Sequence, residues 1–336
     1  MTKTINETIR IIPLGGVGEI GKAMYVVEID EEIFIVDSGL MFPENEMLGI
    51  DIVIPDVTYL EENKARIKGI FLTHGHEDAI GSISYLLNKI QAPVYGSRLT
   101  IALAKEHLKE LPAAQPVKFF EVTNKSRMNF KSTHVTFFHT THSIPDSLGI
   151  VFHTSEGAIV HTGEFKFDQA AKGSYRPDIA KMAGLGEEGV FILMSDSTEA
   201  ERPGYTTSES VVEEHLSETF HGAKGRILVS LYSSNFIRIQ QVFDTAIEAR
   251  RKVAVVGKTL ETVFEVGKRL DYLQVDEETL ISIKDIGNYE DHEVVIIVSG
   301  TQGEPIEALE KMVRKHHKDV KIKDTDTVLF TFTPSP

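Results

Sequence analysis

Three residues with metal-ligating side chains, His74, His76 and Asp78, alternate at spacing two in Thr73-His74-Gly75-His76-Glu77-Asp78. His74 and His76 offer imidazoles, and Asp78 offers a carboxylate. An apolar run that reads as a strand, Ile70 to Leu72, precedes them. Residues at helical spacing follow, with a helix expected from near Ile80 (Ile83, Leu86, Leu87, Ile90). Such donors suit a divalent cation of the Zn²⁺ or Mn²⁺ kind. The 336 residues contain no Cys, so a metal can be held only by His, Asp or Glu. Four further candidates close other strands: Asp37, His142, Glu164 and Asp196. Ligands at the ends of different strands can converge on one edge of a sandwich. Ala79, beside Asp78, offers no ligand. His139 and His153 read as strand residues with local partners, and His161 as core filling or support for a ligand.

The elements that must position these groups alternate in two rhythms. Up to about residue 200, short β-rich runs form hairpins with helices between them: Ile9 to Leu14, Ala23 to Ile29, Ile33 to Val36, Val117 to Val122, Val135 to His139, Ile150 to His153, Ala158 to His161 and Val190 to Met194. This pattern predicts a layered αββα sandwich. From Glu199 onward, β and α alternate (helix 208–220, strand 226–230, helix 237–249, strand 253–256, helix 262–270, strand 294–299), the pattern of a parallel sheet. Glu201-Arg202-Pro203-Gly204 marks the boundary, which predicts domains at 1–200 and 201–336. The chain stops at Thr333-Pro334-Ser335-Pro336 after an apolar run and is expected to be a shortened one.

Composition narrows the classes. Hydrophobic residues make up 41% and charged residues 25%, as in an ordinary globular protein, and the net charge is -15. That charge opposes loose polyanion binding, so a nucleic-acid enzyme would need metal ions or locally basic surface. Lys311, Arg314, Lys315, Lys318, Lys321 and Lys323 cluster, though a solvated helix face is the plainer reading of them. Met1 to Arg10 holds no apolar segment of the secretory kind, and no run approaches the ~20 apolar residues of a membrane span. A reducing cytoplasm is the expected setting.

Two motifs fail on context. Gly16-Val17-Gly18-Glu19-Ile20-Gly21 has the spacing of a dinucleotide fingerprint, but Met24 to Ile29 behind it reads as a strand where that fingerprint opens a helix. It is expected to form tight glycine turns instead. Gly257-Lys258-Thr259 suggests a phosphate loop, yet the first glycine such a loop needs is replaced by Lys252.

Thr73 to Asp78 resembles the histidine motif of the metallo-β-lactamase superfamily. With Phe42-Pro43-Glu44, Leu48 to Asp51, Thr141 to Ser147, His161 to Asp168 and Ser299 to Pro305, the whole chain resembles the ribonuclease J family, in which a β-CASP domain is inserted into the lactamase domain. The resemblance implies that His74, His76 and His142 hold a first metal, that Asp78 serves a second, and that Glu164 stands where the family has a bridging Asp. It assigns Asp37 to orienting the ligand loop and Asp196 to the first β-CASP motif. Ser234 and Asn235 match a segment near the family's terminal-phosphate pocket. The family carries His at position 79. Ala79 and Glu164 together match the divergent second paralogue of Gram-positive bacteria.

The resemblance implies RNA as substrate and a 5′ to 3′ exonuclease with internal cleavage, in mRNA decay and rRNA maturation. It also implies a homo-oligomer that forms a complex with the active paralogue. The missing imidazole and the longer Glu164 imply a degraded second metal position, with one ion or none, manganese preferred over zinc, and weak hydrolysis. The competing expectation is a near-inactive RNA-binding or regulatory subunit. A small-thioester or lactam hydrolase fits less well, because such enzymes need no α/β segment after residue 201.

Overall fold

The computed structural model describes residues 7–43, 47–300, 305–318 and 320–332. Glu44, Thr301 to Glu304 and Thr333 to Pro336, which the motif reading used, lie outside them. Contacts divide the chain into two units. The first takes the described residues of Met1–His142, Asp146–Phe167 and Ala171–Gly204; the second takes those of Ser143–Pro145, Asp168–Ala170 and Tyr205–Pro336.

In the first unit, one sheet has the order β1-β2-β3-β4-β5-β6, built from β1 (Ile9–Gly15), β2 (Met24–Ile29), β3 (Glu32–Val36), β4 (Ile67–Phe71), β5 (Val94–Gly96) and β6 (Phe119–Glu121). The other has the order β11-β10-β9-β8-β7, built from β7 (Arg127–Asn129), β8 (His134–His139), β9 (Leu148–Thr154), β10 (Gly157–His161) and β11 (Val190–Met194). Alternate residues of both sheets meet in one core. Val27, Phe34, Val36 and Phe71 come from the first sheet; Val135, Phe137, Ile150, Phe152 and Ile159 come from the second. The Phe34, Phe71 and Phe152 rings lie 5.4–6.2 Å apart, centroid to centroid, within the range of favourable aromatic pairs.

Helices α1 (Thr58–Glu62), α2 (Glu77–Ile80), α3 (Ile83–Lys89) and α4 (Arg98–Glu110) connect the strands of the first sheet. Helix α5 (Ile179–Glu188) covers the back of the second through Met182 and Leu185, against Phe138, Val151 and Val160. The sequence reading has no helix there. Gly184 and Gly186 disfavour one locally, and burial of Leu185 supplies what propensity lacks.

Strand direction explains why the candidate ligands meet. β3 and β4 are parallel, with Val36 opposite Phe71, so Asp37 and the histidine segment leave the same edge. β8 and β10 both run antiparallel to β9, and β10 is parallel to β11. The ends of β8, β10 and β11 therefore share an edge too, and they carry His142, Glu164 and Asp196.

The second unit has a parallel sheet of order β13-β14-β12-β15, from β12 (Ile227–Ser230), β13 (Lys252–Val256), β14 (Val294–Val298) and β15 (Thr327–Phe330). Its helices are α6 (Glu209–Gly222), α7 (Phe236–Glu248), α8 (Lys258–Arg269) and α9 (Pro305–Val313). β12, β13 and β14 are buried throughout or nearly so and read as continuous apolar runs, as parallel strands do.

Candidate metal centre

The ligand helix α2 begins at Glu77, three residues before the position its spacing suggests, so Asp78 and Ala79 lie on its first turn. Glu77 and Asp78 there complement the positive end of the helix. A single turn is unstable alone. The chain around the end of β3 clasps it: Leu40 N donates to Glu77 O, Ala23 N to Asp78 O and Ser38 N to Ala79 O, at 2.7–2.9 Å. Gly39 must be glycine for this contact, because a Cβ at that position would fall 1.5 Å from Asp78 O.

Within the first unit, ligand atoms of His74, His76, His142 and Glu164 all lie within 4.8 Å of one another. His142 Nε2 is 3.1 Å from His76 Nδ1 and 3.1 Å from Glu164 Oε2, and His74 Nε2 is 3.8 Å from Glu164 Oε2. Four ligands around a tetrahedral ion at ~2.0–2.1 Å sit about 3.3–3.4 Å from one another, so these spacings fit a cation.

The polar bookkeeping agrees. His74 Nε2 and Asp78 Oδ1 are buried without a hydrogen-bond partner and lie 3.6 Å apart. A buried nitrogen and a buried carboxylate oxygen left unpaired are costly unless something cationic joins them.

A buried relay sets the His74 tautomer. Thr73 N and Thr73 Oγ1 donate to the two oxygens of Asp37, at 2.7 and 2.8 Å. With its proton committed to Asp37, Thr73 Oγ1 accepts from His74 Nδ1 at 2.9 Å. The Nδ1–H form leaves the Nε2 lone pair for a metal. Asp37 adopts a left-handed backbone (φ 62°) to make these bonds. Thr73→Val is expected to lower metal affinity about 10–100-fold, with Thr73→Ser restoring it. Calorimetric Mn²⁺ titration of the three chains measures this.

Burial drives the ionisations. It pushes His74 well below the usual imidazole range, reinforced by His76 and His142, and takes His142 and His161 down to about 4. Neutral imidazoles bind a cation without first losing a proton. Glu164 is pushed up to about 10, by burial first and then by Asp78 and Asp196. Burial also raises Asp37, against its two Thr73 bonds.

Beside the cluster lies a cavity of about 850 Å³ within the same unit. Asp37, Asp78, Glu164 and Asp196 line one wall, and the loop Gly16–Gly21 lines another. Gly16, Gly18 and Gly21 have φ of 80°, 71° and 98°, so the loop is a succession of glycine turns. Ala79 is in the lining, next to Asp78. Asp196 receives Thr198 N at 2.8 Å in a local turn.

Two expected site residues belong to the other unit. Ser234 and Asn235 follow β12 there, and Asn235 caps α7 by accepting Arg238 N at 3.0 Å. Sequence reasoning missed Thr73, Tyr25 and the structural use of His161. Tyr25 fixes the glycine loop by donating to Gly16 O at 2.9 Å, and its ring meets the edge of His161 at 5.0 Å. His161 Nδ1 accepts Gly163 N at 3.1 Å, at the turn before Glu164. The Thr73 hydroxyl, adjacent to a ligand histidine, was the available signal.

A metallo-beta-lactamase superfamily model matches residues 17–191, and a model of the ribonuclease J beta-CASP domain matches residues 224–336. The chain belongs to the ribonuclease J family of the metallo-β-lactamase superfamily. Proteins named ribonuclease J 2 from Staphylococcus saprophyticus and Staphylococcus aureus are each 56% identical to it over 335 residues. The matches take in 100% of this chain and 60% of each relative, so the chain spans three-fifths of the length of the curated relatives it matches. A crystal structure of a protein of unknown function from Enterococcus faecalis V583 shares the fold, with a TM-score of 0.65 at 12% identity over 96% of this chain and 88% of that one. The fold is a metallo-β-lactamase domain with an inserted β-CASP domain.

Proposed function

We propose that the whole protein is a metal-dependent ribonuclease of low intrinsic efficiency that hydrolyses RNA phosphodiester bonds from the 5′ end and at internal sites. The observation that carries this reading is the convergence of His74, His76, His142 and Glu164 around the unpaired His74 Nε2 and Asp78 Oδ1. The family, and relatives named ribonuclease J 2, support RNA as the substrate.

A divalent ion held by the three imidazoles and Glu164 would supply a Lewis acid that activates water and polarises a phosphoryl oxygen. The protein's own contribution is arrangement. Asp37 and Thr73 keep His74 Nε2 bare, and the clasp on α2 holds Asp78 beside it. Asp78 and Asp196 in the cavity lining oppose the approach of a phosphodiester, which a bound cation would offset. The three imidazoles suit zinc, while the carboxylates Glu164 and Asp78 beside them suit manganese, which is the activating ion of this proposal.

Ala79 motivates the low efficiency. It contributes no imidazole where the family has one, and Glu164 is a methylene longer than the family's Asp. Two-metal hydrolysis needs ions ~3.5–4 Å apart, which this pairing disturbs. The same observation supports a second reading, a near-inactive RNA-binding or regulatory subunit of a complex with the active paralogue. The domains are assigned to 1–200 and 201–336, and catalytic roles to Asp37, Asp78 and Asp196. Phosphate binding is assigned to Ser234 and Asn235. Self-association, pairing with the paralogue, mRNA decay, rRNA maturation and a cytoplasmic location complete the proposal. No described helix is long and apolar enough to cross a membrane.

Titrating Mn²⁺ into the whole protein with 5′-monophosphorylated RNA is expected to give slow, saturable release of mononucleotides. Metal-independent cleavage, or RNA binding without cleavage at any Mn²⁺ concentration, would replace the enzyme reading, the latter with the subunit reading.

A further inference from the structure

The chain is acidic overall, yet one segment of the second unit reverses this. Residues 311–323 hold six Lys and Arg against one Asp, in a chain of net charge -15. Lys311, Arg314, Lys315, Lys318, Lys321 and Lys323 are all exposed. Lysines in the last turn of a helix are ordinarily explained by the negative end of its dipole. That accounts for Lys311 and Arg314 at the end of α9, but Lys315, Lys318 and Lys321 lie beyond the helix.

The fold holds these cations together. Ala308, Leu309 and Met312 bury the inner face of α9 against β14, which leaves Lys311 and Arg314 outside. Lys315 takes a left-handed conformation (φ 59°), and the amides of His316 and His317 return to Lys311 O. The chain therefore turns back sharply, and Val320, fully buried in the same core, anchors the return. Val320 N donates to His317 Nδ1 at 3.1 Å. A buried ion pair fixes the far end. Arg226, just before β12, bonds Asp326 at 2.6 and 2.9 Å and donates to Lys321 O at 2.7 Å. Lys323 is tied to Asp291, and Arg314 reaches Glu310 at 3.4 Å. The result is a preformed basic surface at the amino edge of the parallel sheet. Ser234 and Asn235 follow the opposite, carboxyl edge of β12, so this is not the expected phosphate segment.

The chemistry selects the occupant. Lysine is depleted in protein–protein interfaces, which favour aromatic and apolar cores. Residues 311–323 contain no Phe, Tyr or Trp, and their rings are the small ones of His316 and His317, the latter tied to Val320 N, so the segment offers cations in excess of stacking surface. Clustered cations with so little aromatic surface match a phosphate backbone, read without regard to sequence. Building on the ribonuclease reading above, we infer that Lys311, Arg314, Lys315, Lys318 and Lys321 form a docking surface for the backbone of base-paired RNA, built from residues that take no part in the metal centre.

The test is Arg314→Gln, Lys315→Gln and Lys318→Gln together in the whole protein. The readout is anisotropy of a labelled RNA hairpin across a salt series, with unfolding midpoints as the check on fold. Each phosphate contact adds ~0.7–0.9 to the slope of log K against log salt. Removal of three cations is expected to lower that slope by about 2–3 and to weaken low-salt binding at least tenfold. The corresponding Lys→Arg changes at 315 and 318 are expected to leave both unchanged. Cleavage of a five-nucleotide oligomer, too short to fold into a base-paired stem, is expected to match the parent. An unchanged slope with normal hairpin binding overturns the docking surface and leaves the nuclease reading intact. No RNA binding by the parent protein overturns both.

Discussion

His142→Ala is expected to abolish stoichiometric metal binding and, with it, cleavage of RNA by the whole protein. His142 Nε2 lies within 3.1 Å of both His76 Nδ1 and Glu164 Oε2, so it ties the histidine segment to the opposite sheet's ligand. Removing a partner that only orients a ligand costs 10–100-fold in metal affinity. Removing a ligand itself is expected to cost more than about 100-fold. The loss should not come from unfolding. His142 keeps a partly exposed side chain outside the hydrophobic core, so alanine there leaves the packing of the two sheets in place. Metal content after dialysis and the urea unfolding midpoint separate the two effects. Full metal occupancy in the variant would mean that the ion sits elsewhere.

The second large effect runs the other way. Ala79→His combined with Glu164→Asp is expected to raise RNA cleavage at least tenfold, equivalent to about 1.4 kcal/mol off the barrier. Ala79 is 1% exposed and stands on the first turn of α2 beside Asp78, in the lining of the carboxylate-walled cavity. An imidazole there would add a nitrogen donor to the lining that holds Asp78 and Glu164, and Asp at 164 would set its carboxylate back by one methylene. The gain should come with a second equivalent of bound Mn²⁺. Two bound ions without faster cleavage would show that the longer Glu164 and the missing imidazole do not limit the reaction. An unchanged metal count would show that position 79 does not address the second site.

Much of the site is local, and so was open to sequence reasoning. His74, His76 and Asp78 lie within five residues of one another, and their donor types are those that suit a divalent cation. The glycine stretch was legible as turns because the residues behind it alternate as a strand, and its positive φ values follow from that. Helix α5 was not legible, since two glycines mask it and a buried leucine sustains it. The start of α2 was missed because its single turn is held by amides from the distant segment 23–40 rather than by its own propensity.

Residue types and strand periodicity by themselves determined the two rhythms of the chain, the absence of thiolate ligands and the cluster at 74–78. Tertiary structure alone decided which distant groups join that cluster. Parallel β3 and β4 bring Asp37 to Thr73, and β8 and β10, both antiparallel to β9, bring His142 and Glu164 to one edge. It also decided that Asp37 acts through Thr73 on the tautomer of His74. A hydrogen-bond relay depends on distances of tenths of an ångström, which residue spacing along a chain does not encode.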